Sequence, residues 1–158
     1  MVLCKNWNGV DARCQKAYEN AKACGEHLKD EVAKFSDEPM EMHFVTEAAA
    51  KLGLTTSTFA FNLPAKKNSS AAEKKQLAQT FTDKLCLHPG FKPCVSFGQD
   101  NGLIYATVPA TSTQGAIKEE DKAKQAKGGV QLCRLSFPPT IDVQRIKEHT
   151  TKSVKELY

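Results

Sequence analysis

The chain has 158 residues, 41% of them hydrophobic and 25% charged. That balance belongs to a folded domain and excludes disordered and collagen-like chains. The formal net charge of +4, from 22 Lys and Arg against 18 Asp and Glu, permits contact with RNA or an acidic protein but requires neither.

No apolar run reaches the about 18 residues a membrane span needs, and Met1 to Trp7 carries no secretory pattern. The expected setting is therefore intracellular, in the cytoplasm. A mitochondrial presequence stays open, although Asp11 and Glu19 come early for one. The six cysteines, Cys4, Cys14, Cys24, Cys86, Cys94 and Cys133, read as free thiols, because reducing compartments keep them so and a chain of this size needs no staple.

In chain order, Val10, Cys14, Ala17, Ala21, Cys24, Leu28, Val32 and Phe35 step by three and four, which predicts one helix from about Asp11 to Phe35. Asn8 or Asp11 is the expected cap. The small side chains on this stripe predict close approach to another surface, inside the protein or outside it. After Ser36-Asp37-Glu38-Pro39, the spacing of Met40, Phe44, Ala48 and Leu52 predicts a second helix; a strand over Met42 to Val45 is the lesser reading.

Phe59, Phe61 and Leu63 alternate with smaller or polar residues up to Pro64, the pattern of a strand. Ser70 and Glu73 form a capping box for a helix burying Leu77, Phe81 and Leu85. His88-Pro89-Gly90 is a turn. Asn101-Gly102 between Cys94–Gly98 and Leu103–Val108 predicts a hairpin, since both residues accept the positive φ of tight hairpin turns. Residues 111–129 are polar and lysine-rich, an exposed helix or a loop. Cys133, Leu135 and Phe137 alternate in a strand closed by Pro138-Pro139. Thr140 is then the expected cap of a last helix carrying Val143, Ile146, Val154 and Leu157.

These elements describe an α+β protein: an antiparallel sheet packed by helices, with an N-terminal helical extension over residues 1–54 and an α+β domain over residues 55–158. Its core reads as ferredoxin-like β-α-β-β-α-β if residues 111–129 are helical, and as α-β-β-β-α if they are not.

Chemistry is sparse. Cys86, His88, Cys94 and Cys133 are the one set resembling a metal site, but the C-x-H-x5-C spacing lacks the C-x2-C knuckle, so packing and turn roles are the better reading and no metal is expected. The ten-residue steps between Cys4, Cys14 and Cys24 have no second paired helix, so they too read as small packing residues. None of His27, His43, His88 or His149 sits in a catalytic motif, and no phosphate-binding or dinucleotide-binding glycine loop occurs. No catalytic residue, cofactor or small-molecule substrate is assigned; a thiol enzyme using Cys86 or Cys94 is the least favoured reading.

Two stretches resemble known families. Residues 77–157 resemble the smaller Alu-domain protein of the signal recognition particle. The resemblance rests on Lys84-Leu85-x-Leu87-x-Pro89, Asp100-Asn101-Gly102-Leu103, Val130 to Leu135, and Asp142-Val143-x-x-Ile146-Lys147. It implies an α-β-β-β-α fold and RNA binding through a basic sheet face. This chain departs from that pattern in its long N-terminal part, its insertion at 111–129, and strands whose bases are essentially Lys92 and Arg134. Residues 57–108 resemble a proteasome assembly chaperone in the order strand, serine-rich loop, helix with Leu77-Ala78, strand with Val95-Ser96. That resemblance implies assembly through surface complementarity.

The function expected from all this is a non-catalytic interaction or assembly subunit of a larger complex, with Cys14, Ala17, Ala21 and Cys24 or an open sheet face as its protein contact. The alternative is a structured-RNA-binding subunit with Lys92 and Arg134 in contact with RNA.

Overall fold

The computed structural model describes residues 9–44, 51–52, 56–65, 69–93, 103–107 and 132–158. Helix α1 spans Val10–Val32. Strands β1 (Glu41–His43) and β2 (Thr58–Asn62) follow, then helix α2 (Ala71–Cys86). Strands β3 (Phe91–Pro93), β4 (Ile104–Thr107) and β5 (Leu132–Ser136) lead to helix α3 (Val143–Lys155). The described strands form one five-stranded sheet in the order β1-β2-β5-β4-β3. Neighbours run antiparallel except β3 and β4, which are parallel. This is an α+β fold, and the described elements from α2 to α3 run α-β-β-β-α.

The helix signals hold with adjusted ends. At the start of α1 the cap is Gly9, at φ 80° and without a side-chain hydrogen bond, rather than Asp11; Asn8, the other candidate, lies outside the described residues. Asp11 instead lies in the first turn, where its carboxylate faces the positive end of the helix. The α2 capping box is present: the Glu73 amide donates to Ser70 Oγ at 3.2 Å, and the Ser70 amide donates to Glu73 Oε2 at 2.6 Å. Replacing Ser70 with alanine is expected to cost about 1 kcal/mol, read as a lowered urea midpoint with unchanged slope. The cap of α3 is Asp142 rather than Thr140, its carboxylate accepting from the Arg145 amide at 3.1 Å.

Two expectations are overturned. The predicted helix from Met40 begins as an edge strand, because Met40, Met42 and Phe44 point inward while Glu41 and His43 are exposed. Met42 pairs with Phe61, and the Phe44 ring lies 4.8 Å from that of Phe59. Burying three apolar side chains against β2 and α1 outweighs a local helical spacing of four. Of the rest of that predicted helix, residues 45–50 fall outside the described set, and Lys51, just before the turn at Leu52, is helical. The Asn-Gly hairpin is the second. Its turn and first arm, 94–102, lie outside the described residues, but its second arm is β4. At Ile104–Ala106 the outer neighbour of β4 is the parallel strand β3, with Phe91 beside Ile104. Residues 111–129 also lie outside the described set.

The core is continuous from α1 to α3. Leu28 and Val32 of α1 are buried in one cluster with Phe59, Phe61, Phe81, Leu85, Ile104, Leu135, Ile146 and Val154. Strand alternation places Phe59, Phe61, Cys133 and Leu135 on the side facing the helices. There the Phe61 ring meets Phe81 of α2 edge-on at 6.0 Å. Helix α1 comes close to the sheet at Gly25, where a Cβ would stand 2.6 Å from Met42 Cε and 2.8 Å from Phe44 Cζ. Helix α3 closes the helical layer by packing on both α1 and α2.

Candidate functional site

All three described helices lie on one side of the sheet, so the alternate residues of each strand form a second face with no described helix against it. Register assembles that face into rows, because directly paired residues on neighbouring strands project to the same side. One row runs Glu41, Asn62, Leu132. The next runs His43, Ala60, Arg134. The third runs Thr58, Ser136, Tyr105, Lys92.

Side chains within the rows are joined. Asn62 Nδ2 donates to Glu41 Oε2 at 3.2 Å. The Thr58 and Ser136 hydroxyls share a hydrogen bond of 2.8 Å. Lys92 Nζ lies 6.0 Å from the centre of the Tyr105 ring, at the outer reach of a cation–π contact. Arg134 occupies the middle strand of this surface, next to the hydroxyl row. Both sequence-predicted RNA-contact residues, Lys92 and Arg134, therefore share one face, on neighbouring rows.

The sequence-predicted protein-contact stripe lies elsewhere and is largely covered by the chain itself. Ala17, Ala21 and Cys24 are buried, whereas Cys14 is exposed. Asn20, on the same side of α1, is 2% exposed and donates from Nδ2 to the carbonyls of Pro138 and Pro139 at 3.1 and 3.0 Å. His27 Nε2 makes hydrogen-bond contacts with the Lys147 carbonyl at 3.2 Å and the Thr151 hydroxyl at 2.9 Å. The close approach that small side chains permit is made here within the molecule, against α3 and the segment leading into it.

Among the described residues the cysteines Cys14, Cys24, Cys86 and Cys133 are free. Burial pushes the Cys24 thiol up to about 11, against a smaller opposing pull from Lys147. Cys86 rises to about 11 through burial and the nearby Asp83 carboxylate. Cys133 rises to about 12 through burial, partly offset by Thr82. These three stay protonated near neutral pH, so none offers the thiolate that nucleophilic chemistry needs. No group of three or more His, Cys, Asp or Glu side chains is placed to hold a metal among the described residues; Cys94 lies outside them. The described helices include none long and apolar enough to cross a membrane.

The chain matches no known protein-family model and no curated protein.

Sequence reasoning missed the partners of Lys92 and Arg134 on the sheet face. Tyr105 could have been found, since it alternates with the buried Ile104 and Ala106. His43 needed the strand reading of Met40 to Phe44. The joining of the three rows is a matter of register between strands far apart in sequence, which no local pattern carries.

Proposed function

We propose that this chain is a non-catalytic interaction or assembly subunit of a larger complex and that it meets its partner protein through the sheet face against which no described helix lies. One observation carries the reading: the described helices gather on one side, and the other side of the described strands presents three registered rows of mostly polar side chains. The alternative contact, the small-residue stripe of α1, is mostly occupied by the chain's own elements. The Cys86 thiol is protonated near neutral pH, which gives a thiol enzyme no support from it.

A second reading, a structured-RNA-binding subunit, is favoured by one specific arrangement. Lys92 and Arg134 lie on the same face, with Tyr105 beside Lys92, a combination suited to phosphate and base contact.

One experiment separates them. A photo-crosslinking residue placed at Ala60, in the middle of the face, is compared in cells with the same residue at the exposed Glu26 of α1. A discrete protein adduct from Ala60 alone supports the assembly reading. A nuclease-sensitive adduct from Ala60 supports the RNA reading. Equal yields from both positions, or none from Ala60, would overturn the use of this face. For the RNA reading, R134E and K92E are expected to reduce the salt dependence of binding to a structured RNA by about one unit of slope each.

A further inference from the structure

His88 and His149 come from different elements and meet face to face. His88 sits in the turn after α2, and His149 lies midway along α3. Their ring centres are 4.5 Å apart and the planes differ by 18°. His149 Nε2 is buried without a hydrogen-bond partner. An uncharged ring nitrogen tolerates that position, whereas an N–H+ there would lack an acceptor.

The turn that His88 holds is a structural junction. The His88 amide donates to the Leu85 carbonyl at 3.0 Å and the Phe91 amide to the His88 carbonyl at 3.3 Å. The Ile104 amide donates to the Gly90 carbonyl at 2.7 Å, tying the turn to β4. Gly90, at φ 106°, lies against Ile146 of α3, whose Cδ1 would be 3.0 Å from an added Cβ. The turn thus sets where the sheet's β3 edge sits relative to α3.

We infer that the stacked His88–His149 pair is an acid-sensitive clasp: two uncharged imidazoles hold the turn between α2 and β3 against α3, and charging both rings releases it. The charged groups acting on His88 are Lys152 and Glu156 on α3, with Lys84 of α2 held 3.4 Å from Glu156 Oε2. Cys86, two residues before His88, keeps its proton and adds no charge. Burial lowers the His88 pKa below its ordinary 6.5; a charge on the His149 ring and the standing charge of Lys152 lower it further, against an opposing pull from Glu156.

The sign follows from linkage. With the folded value below the unfolded one, the unfolded chain takes up the proton first as pH falls. The stabilisation is complete above the unfolded value and is lost as pH falls through the folded one.

The test is amide hydrogen exchange on the full chain, corrected for intrinsic rates, at about pH 7.5 and about pH 5.5. Protection of the Phe91 and Ile104 amides is expected to fall about tenfold, while the β2–β5 ladder keeps its protection. H88F, which leaves a ring over His149 but cannot charge, is expected to abolish the fall. H149Q serves as a second uncharged variant if H88F does not fold. The clasp is overturned by unchanged protection in the wild-type chain, by an equal fall throughout the molecule, or by the same local fall in a folded uncharged variant.

Discussion

Phe59→Ala is expected to lower the unfolding free energy by about 3–5 kcal/mol, the range for removing a fully enclosed aromatic ring. The ring is 1% exposed. It touches three others, with centroids at 4.8 Å (Phe44), 5.5 Å (Phe137) and 5.7 Å (Phe61). These neighbours come from the end of β1, the end of β5 and β2 itself, so a cavity here strips contacts from three strands at once. Rigid aromatic walls collapse poorly into such a space, which places the cost in the upper part of what core truncations show. Urea denaturation reads the effect. The neighbouring Ala60→Ser, on the opposite face of the same strand, is expected to stay within about 0.5 kcal/mol. A loss below about 1 kcal/mol at Phe59 would show that the aromatic cluster is not the centre of the fold.

Asn20→Leu is expected to cost about 2–3 kcal/mol. The segment Pro138-Pro139 has carbonyls but, being proline, no amide N–H of its own, so it draws donors from elsewhere. Both donors of the Asn20 amide serve these two carbonyls from across the molecule. Leucine keeps much of the volume and leaves both carbonyls without this donor, the Pro138 bond being buried and the Pro139 bond half-buried. Asn20→Asp separates the hydrogen bonds from the packing, since it keeps the shape but sets a carboxylate against two carbonyls. It is expected to destabilise more than leucine at neutral pH. Part of that loss should return as pH falls, because a protonated carboxyl supplies one donor in a site that raises its pKa. Equal stability of N20L and the wild-type chain in urea would show that α1 docks without this bridge.

The reach of the sequence differs from element to element for physical reasons. Helices α1, α2 and α3 announce themselves because a period near four, repeated over several turns, has few competing readings. The Ser70–Glu73 box marks its helix start because both hydrogen bonds close within four residues. The same holds for β2 and β5, where alternation ends at proline. β1 has only a short alternation, Met40 to Phe44, and a helical spacing overlaps it. Burial against Gly25 and Phe59 decides between them, and both are remote in sequence. At β4 the Asn-Gly signal concerns the chain just before it. The strand's described neighbours were selected by matching apolar faces, Phe91 with Ile104 on one side and Ala106 with Leu135 on the other.

For the candidate site the division is sharper. That Arg134 is a base on a strand is legible from alternation; Lys92 lies before the predicted strand Cys94–Gly98, and its place on β3 is not. That they share a face, in neighbouring rows beside Tyr105 and the Thr58–Ser136 hydroxyl pair, depends on strand order β2-β5-β4-β3, a long-range property. The small stripe Ala17, Ala21, Cys24 is equally visible in sequence, yet its occupant is not, because a small side chain permits close approach without naming what approaches. By itself, then, the sequence determined the class of fold and the faces that β2 and β5 bury, since both follow from periods of two and near four read over short windows. Only the tertiary structure decided which surfaces meet: α3 over α1, β3 beside β4, His88 on His149. Those pairings are contacts between segments far apart in the chain, chosen by the burial and hydrogen bonding they complete together.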